Sequence, residues 1–236
     1  MVLYHYTKLV NFESIWNSMS IWFSEYKQSN DYFERHKFIV CNTNLSNPKI
    51  MLNRIYNEIR MYKQISFCKD YEDGTKGYAS PMMWGQYARS KKSEEWQDGV
   101  CLELDSTKFK TKSGFFFDNA IKYSPQIVPQ NMGDFDFTQN DVITKFIDTN
   151  KNLLFFTKHK HWEHENEYRF ISKDCKEIDI SDAITGVYVL DKDSATMEKV
   201  EKFVHNSTNV YFVTIGGLNG LSRCDYRHFI SMKKNE

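Results

Sequence analysis

Short apolar strands interspersed with amphipathic helices predict an α+β fold for this 236-residue chain. Strand-like runs recur from the first residues to the last third. Several segments between them repeat apolar residues at helical spacing. The 18 Phe, 14 Tyr and 5 Trp can build a sizeable core, while 4 Pro and 10 Gly exclude collagen-like, linker-rich and disordered classes.

Residues 2–6 (VLYHY) read as a strand. Asn11 is placed to cap a helix to about Met19, with Phe12, Ile15, Trp16 and Met19 at helical spacing. Residues 21–25 (IWFSE) read as a second strand, Asn30-Asp31 as a turn, and a helical stretch follows to about Val40. The clearest helix covers 49–64, and 65–68 (ISFC) reads as a strand. After a polar loop at 69–79, Ser80-Pro81 opens a helix, serine as cap and proline in the first position. Strands are expected at 99–104 and 115–123, a loop at 124–138, a helix at 139–151, and an apolar run at 153–157. Strands at 167–172, 186–190 and 210–215, with a helix at 194–205 between the last two, complete the pattern.

Lys plus Arg is 31 and Asp plus Glu is 31, so net charge gives no support for long-range attraction to nucleic acid or an anionic membrane. No run approaches the ~18 apolar residues of a membrane span. The start MVLYHYTKLV lacks the basic and apolar regions of a signal peptide, so a cytoplasmic protein is expected. Cys41, Cys68, Cys101, Cys175 and Cys224 form no C-x-x-C pair and read as reduced, mostly buried thiols.

Four clusters have chemical potential. In Tyr4-His5-Tyr6-Thr7, strand alternation points His5 and Thr7 the same way, able to bind a ribose or an amide, or simply to sit in a core. In Trp162 to Arg169, Glu163, Glu165 and Glu167 share a face if the segment is extended, with Arg169 positioned to pair with Glu167. Such a Glu-x-Glu can hold a sugar hydroxyl and stabilise a developing cation, or be a solvated charged edge. Trp84 and Tyr87 project together from one helix and could stack on a flat ring or pack in a core. His159, His161 and His164 lack the spacing of a helical zinc motif, so no metal is expected. No glycine-rich phosphate loop or nucleophile elbow is present.

Five ordered segments then resemble a bacterial domain-of-unknown-function family, number 2971, with an abortive-infection connection. They are Leu3 to Thr7 with Asn11 to Ser24, Asn30-Asp31-Tyr32-Phe33-Glu34, Met83-Trp84-Gly85-Gln86-Tyr87-Ala88, Gly99 to Glu103, and Trp162 to Arg169. The opening is in turn similar to that of the ADP-ribosyltransferase superfamily. That resemblance implies a split mixed or antiparallel sheet with surrounding helices, one such domain over 1–236 and a helical insertion at about 28–64. It implies NAD as substrate without a metal, held by His5, Tyr6, Thr7, Ser24, Trp84 and Tyr87. The late Glu-x-Glu would be catalytic, Glu167 first with Glu165 as its partner, and Asn30, Asp31, Glu34 and Arg169 would give support. Lys8 stands where many relatives carry a small residue.

Three functions compete. The first is an NAD-dependent ADP-ribosyltransferase or NAD glycohydrolase acting as a toxin or phage-defence effector, with a nucleic-acid or protein acceptor and a possible regulatory partner. The second is a non-catalytic module on the same fold, binding a nucleotide, nucleic acid or protein. The third is a metal-dependent hydrolase using Asp31, Glu34 and the His159–Glu165 cluster.

Overall fold

A computed structural model describes residues 1–25, 29, 31, 39–40, 48–92, 95–111, 116–126, 130–131, 141–190, 194–204, 210–215 and 221–225. The chain opens with β1 (Val2–Thr7), whose alternation sends Leu3, His5 and Thr7 to one face and Tyr4 and Tyr6 to the other. Helix α1 (Leu9–Ser18) begins two residues before the expected cap, since the Lys8 carbonyl accepts from the Asn11 and Phe12 amides at 3.0 Å. The early start brings Leu9 onto the buried stripe with Phe12 and Ile15. Met19, at φ 48°, ends the helix in the left-handed region.

The strand expected at 21–25 is two strands, β2 (Ser20–Trp22) and β3 (Ser24–Glu25), which pair with different partners. The helical stretch expected up to Val40 lies outside the described residues except at β4 (Ile39–Val40), a short strand. Helix α2 (Pro48–Arg60) hands over to β5 (Lys63–Cys68). In the expected loop, residues 77–79 form a turn of 3-10 helix. Helix α3 (Pro81–Tyr87) starts as its sequence dictates, with the Ser80 hydroxyl accepting from the Met83 amide. The hairpin β6 (Arg89–Lys92) and β7 (Glu95–Asp98) leads into β8 (Val100–Asp105).

The strand expected at 115–123 divides into β9 (Phe116–Ala120) and β10 (Lys122–Ser124). It breaks at Ile121, whose amide donates to the Glu167 carbonyl at 2.9 Å while Lys122 donates to Phe156 at 2.8 Å. Within the expected loop at 124–138, β11 (Gln130–Asn131) pairs with β4. Helix α4 (Val142–Phe155) absorbs most of the apolar run expected after it, because Ile143, Phe146, Ile147 and Leu154 continue one helical stripe. There follow β12 (Thr157–His159), a 3-10 helix at Lys160–Glu165, β13 (Glu167–Ser172) and β14 (Glu177–Asp179). Then come β15 (Ile184–Leu190), helix α5 (Ser194–Phe203), β16 (Val210–Ile215) and β17 (Leu221–Asp225).

Among the described residues the main sheet has nine strands, in the order β17-β16-β15-β8-β1-β5-β13-β9, with β3 added on β5. It is antiparallel except between β15 and β16, and helices flank it, an α+β fold. One face packs Leu3, Phe67, Leu102 and Phe170 against α1. On the other, Tyr4, Tyr6 and Tyr188 meet Met83 and Trp84 of α3. Further along, Ile171 joins a second core with Ile55 of α2 and Phe146 of α4.

The sheet divides at its centre. Strand β1 pairs with β8 over six residues and β5 with β13 over six, yet β1 and β5 share only the pair Tyr4↔Cys68. Beyond it the two strands part. At the other end of the gap β3 takes up the β5 edge through Ser24↔Gln64. On the edge away from β13, Ile65, Ser66 and Phe67 therefore face an opening instead of a paired strand.

Gly99 holds the β1–β8 junction closed. A Cβ there would lie 2.1 Å from the Thr7 carbonyl oxygen and 2.5 Å from that of Ala88. Gly99→Ala is expected to destabilise the protein by about 1–3 kcal/mol in urea denaturation. Gly85→Ala is expected to be neutral or to stabilise by up to ~1 kcal/mol, as its Cβ would meet nothing within 4 Å in α3.

Candidate active site

The opening between β1 and β5 is the mouth of a cavity of about 450 Å³, a size suited to a nucleotide-like ligand. His5 and Tyr6 line it from β1, Ser66 and Phe67 from β5, Tyr87 from α3, and Glu165 and Glu167 from the end of the 3-10 helix and the start of β13. Ser24 and Trp22 line its outer end.

The two glutamates converge by a route different from the extended segment expected. Residues 160–165 are 3-10 helix, so Glu163 points to solvent and does not share a face with the others. Asn166 then adopts φ 40°, a left-handed conformation that Asn tolerates, and its side-chain amide donates to the Lys69 and Asp70 carbonyls at 3.2 and 2.9 Å. That turn brings both carboxylates onto the ammonium of Lys158, 2.5 Å from Glu165 and 2.8 Å from Glu167.

Strand alternation puts Arg169 beside Glu167, and its guanidinium grips the carboxylate with Nε at 2.6 Å and Nη2 at 2.8 Å. Its Nη1 donates to the Phe155 carbonyl at 2.8 Å, and the Ser66 hydroxyl donates to Glu167 at 2.5 Å. The Tyr87 hydroxyl donates to Glu165. Arg169 is 0% exposed, Glu165 2%, Glu167 3% and Lys158 7%, so two anions and two cations balance out of water.

The two carboxylates differ in consequence. Burial would raise Glu167, but the Arg169 guanidinium and the Lys158 ammonium outweigh it and hold the carboxyl well below the usual range. Burial does raise Glu165, with the charge of Glu167 adding to it, against the pull of Lys158 and Tyr87. Glu167 holds the larger set of cationic and hydroxyl partners, and Glu165 has the higher proton affinity of the two.

His5 sits at the parting of the strands, its Nδ1 3.3 Å from the Ser66 carbonyl and its ring 5.6 Å from that of Phe67. Burial lowers its imidazole to about 4, so the ring is neutral at physiological pH. Cys68 also lines the cavity, but burial pushes its thiol up to about 12, leaving no thiolate nucleophile.

Other expected site residues fall elsewhere. Thr7 is buried and does not line the cavity. Trp84 is a core residue. Its indole donates to the Tyr78 carbonyl at 2.8 Å and packs edge-on to Tyr6. Tyr6 lines the cavity but directs its hydroxyl to the Gly77 carbonyl at 2.6 Å. Asp31 is buried, and its amide donates to the Ser29 hydroxyl at 3.2 Å. Asn30 and Glu34 lie outside the described residues. The histidines bond to their surroundings, His159 to the Pro125 carbonyl and His164 to Gln86. Among the described residues no three His, Cys, Asp or Glu side chains gather as metal ligands. Ser66 and Gln64 went unnoticed in the sequence, since nothing in their spacing marks them.

Residues 83–170 match the model of the family described as Protein of unknown function (DUF2971), which is the family read from the motifs. The match covers little more than a third of the chain, and over that segment the chain is similar to the family. The match takes in Tyr87, Lys158, Glu165, Glu167 and Arg169, and does not reach His5, Ser24 or Ser66. No curated protein and no solved structure matches the chain. Among the described residues no helix is long and apolar enough to cross a membrane.

Arg169→Ala would leave Glu167 buried with half its countercharge and would remove the Nη1 donor to the Phe155 carbonyl. A loss of about 3–5 kcal/mol is expected by urea denaturation. The His5 shift gives a pH dependence. The unfolded chain binds a proton at this residue below about pH 6.5, whereas the folded chain binds it only near pH 4. Stability is expected to fall as pH drops through that window, and the slope is expected to flatten in His5→Asn, measured by denaturation at a series of pH values.

Proposed function

We propose that the chain binds NAD in the cavity at the parted strands and cleaves its nicotinamide–ribose bond, passing the ADP-ribose to water or to a macromolecular acceptor. The observation that carries this reading is the meeting of His5, Ser24, Tyr87 and Glu165, from four distant parts of the chain, around one nucleotide-sized cavity. A division of the sheet between β1 and β5 is what an ADP-ribosyltransferase-like fold would need there.

In this mechanism the bond between C1′ and the pyridinium nitrogen breaks, and its electron pair leaves with nicotinamide. The ribose takes on oxocarbenium character. A lone pair on water or on the acceptor forms the new bond to C1′, and the proton released goes to the Glu165 carboxylate and then to solvent. The raised proton affinity of Glu165 suits it to that step. Tyr87 and Lys158 are positioning residues that fix its two oxygens. Neutral His5 and the main-chain groups of the parted strands supply hydrogen bonds for ribose or carboxamide. A role as a cytoplasmic toxin or phage-defence effector, with a partner that restrains it, rests on the motif resemblance alone.

One observation favours the alternative of a nucleotide-binding module without turnover: Glu165 and Glu167 are both already ion-paired. A melting curve with and without NAD, followed in the same sample for nicotinamide release, separates the two. Release is expected, with a fall of roughly 100-fold or more in Glu165→Gln at an unchanged melting shift. A shift without release would favour the module, and neither would remove both readings.

A further inference from the structure

The outer end of the cavity holds two features that the carboxylate chemistry leaves unused. Trp22, on β2, is 62% exposed yet lines the cavity, a large aromatic surface turned to a polar opening. Gln64, on β5, is nine-tenths buried, and its Oε1 has no hydrogen-bond partner among the described residues. A buried amide oxygen without a partner is unfavourable in the free protein and marks a place where a donor is missing.

The sheet register puts these features on one side of the gap. Ser24 pairs with Gln64, and Glu177 of β14 with Trp22, so strands on either side of Phe23 carry the serine and the tryptophan. Gln64 lies four residues from Cys68, the register mate of Glu167, which is about 13 Å along a strand. That separation is the span of a nucleoside with its phosphate, too long for a single ring. Lys8, the residue after β1, also lines the cavity.

We propose that Trp22, Ser24 and Gln64 form a purine subsite that takes the adenine ring of the dinucleotide, stacked on Trp22 with its amidine edge on Gln64 and its phosphate toward Lys8. A carboxamide matches that edge, one donor and one acceptor against the exocyclic amine and an adjacent ring nitrogen. Base stacking on an exposed tryptophan supplies affinity from area. Ser24, which the motif resemblance implies as an NAD-holding residue, serves this outer end. The subsite rests on the dinucleotide reading given above.

AMP is the probe. Saturable quenching of tryptophan fluorescence by AMP is expected in the wild-type protein, with competitive displacement by NAD. Trp22→Phe keeps a ring to stack on, so most of the quench is expected to vanish while the AMP-induced melting shift remains. Gln64→Leu removes the orphaned oxygen. The free variant is expected to melt no lower than wild type, and AMP affinity to fall about tenfold. A lower melting temperature for free Gln64→Leu would show that the amide is already satisfied within the fold, and would overturn the subsite. So would an absence of quenching, or AMP that NAD fails to displace. The two proposals fail separately. AMP binding displaced by NAD without nicotinamide release would remove cleavage and leave the subsite. Nicotinamide release at low NAD unchanged in Gln64→Leu would remove the subsite and leave cleavage.

Discussion

Two carboxylates and two cations meet out of water beside the cavity, and the elements around them are held where that meeting requires. Arg169 bonds the carboxylate of its own strand and the last turn of α4 through the Phe155 carbonyl. Lys158 comes from β12, Tyr87 from α3 and Ser66 from β5. None of these charges is tolerable there alone, because desolvation of an unpaired ion costs several kcal/mol. With Glu165 at the end of the 3-10 helix, the cluster therefore makes the relative placement of six segments a single condition. It also explains why a family segment running from α3 to β13 includes nearly all of it.

The second constraint is the incomplete pairing of β1 with β5. Each strand has its ladder filled on the far side, by β8 and by β13, and both cores continue past the gap. The sheet can afford to part there because those outer ladders and the two packed faces hold the halves in place. Parting exposes strand edges inside the protein, where main-chain donors and acceptors become part of a cavity wall. Closing contacts at either end, Tyr4↔Cys68 and Ser24↔Gln64, set its length.

Charge balance separates two glutamates that look equivalent on paper. Glu167 has a bidentate arginine, a lysine and a serine, so its ionised state is fixed. Glu165 shares the lysine and has the phenol of Tyr87, and burial leaves it closer to protonation. The two carboxylates titrate as one coupled pair, with the proton favoured on Glu165.

Local rules in the sequence reached as far as local causes do. Ser80-Pro81 determined the start of α3, alternation determined that Arg169 would stand beside Glu167, and short apolar strands interspersed with amphipathic helices determined an α+β chain. They misplaced what depends on distant partners. Trp84 and Tyr87 share a helix, but only the tyrosine reaches the cavity, because Tyr6 and the Tyr78 carbonyl claim the indole. Segments 21–25 and 115–123 each read as one strand, and each divides because its halves find different neighbours. The left-handed turn at Asn166, the arrival of Lys158 between the glutamates and the gap in the sheet have no signature in spacing. Sequence periodicity records which residues must be buried. Which buried charges meet, and where a strand is left without a neighbour, is decided by the packing of elements far apart along the chain.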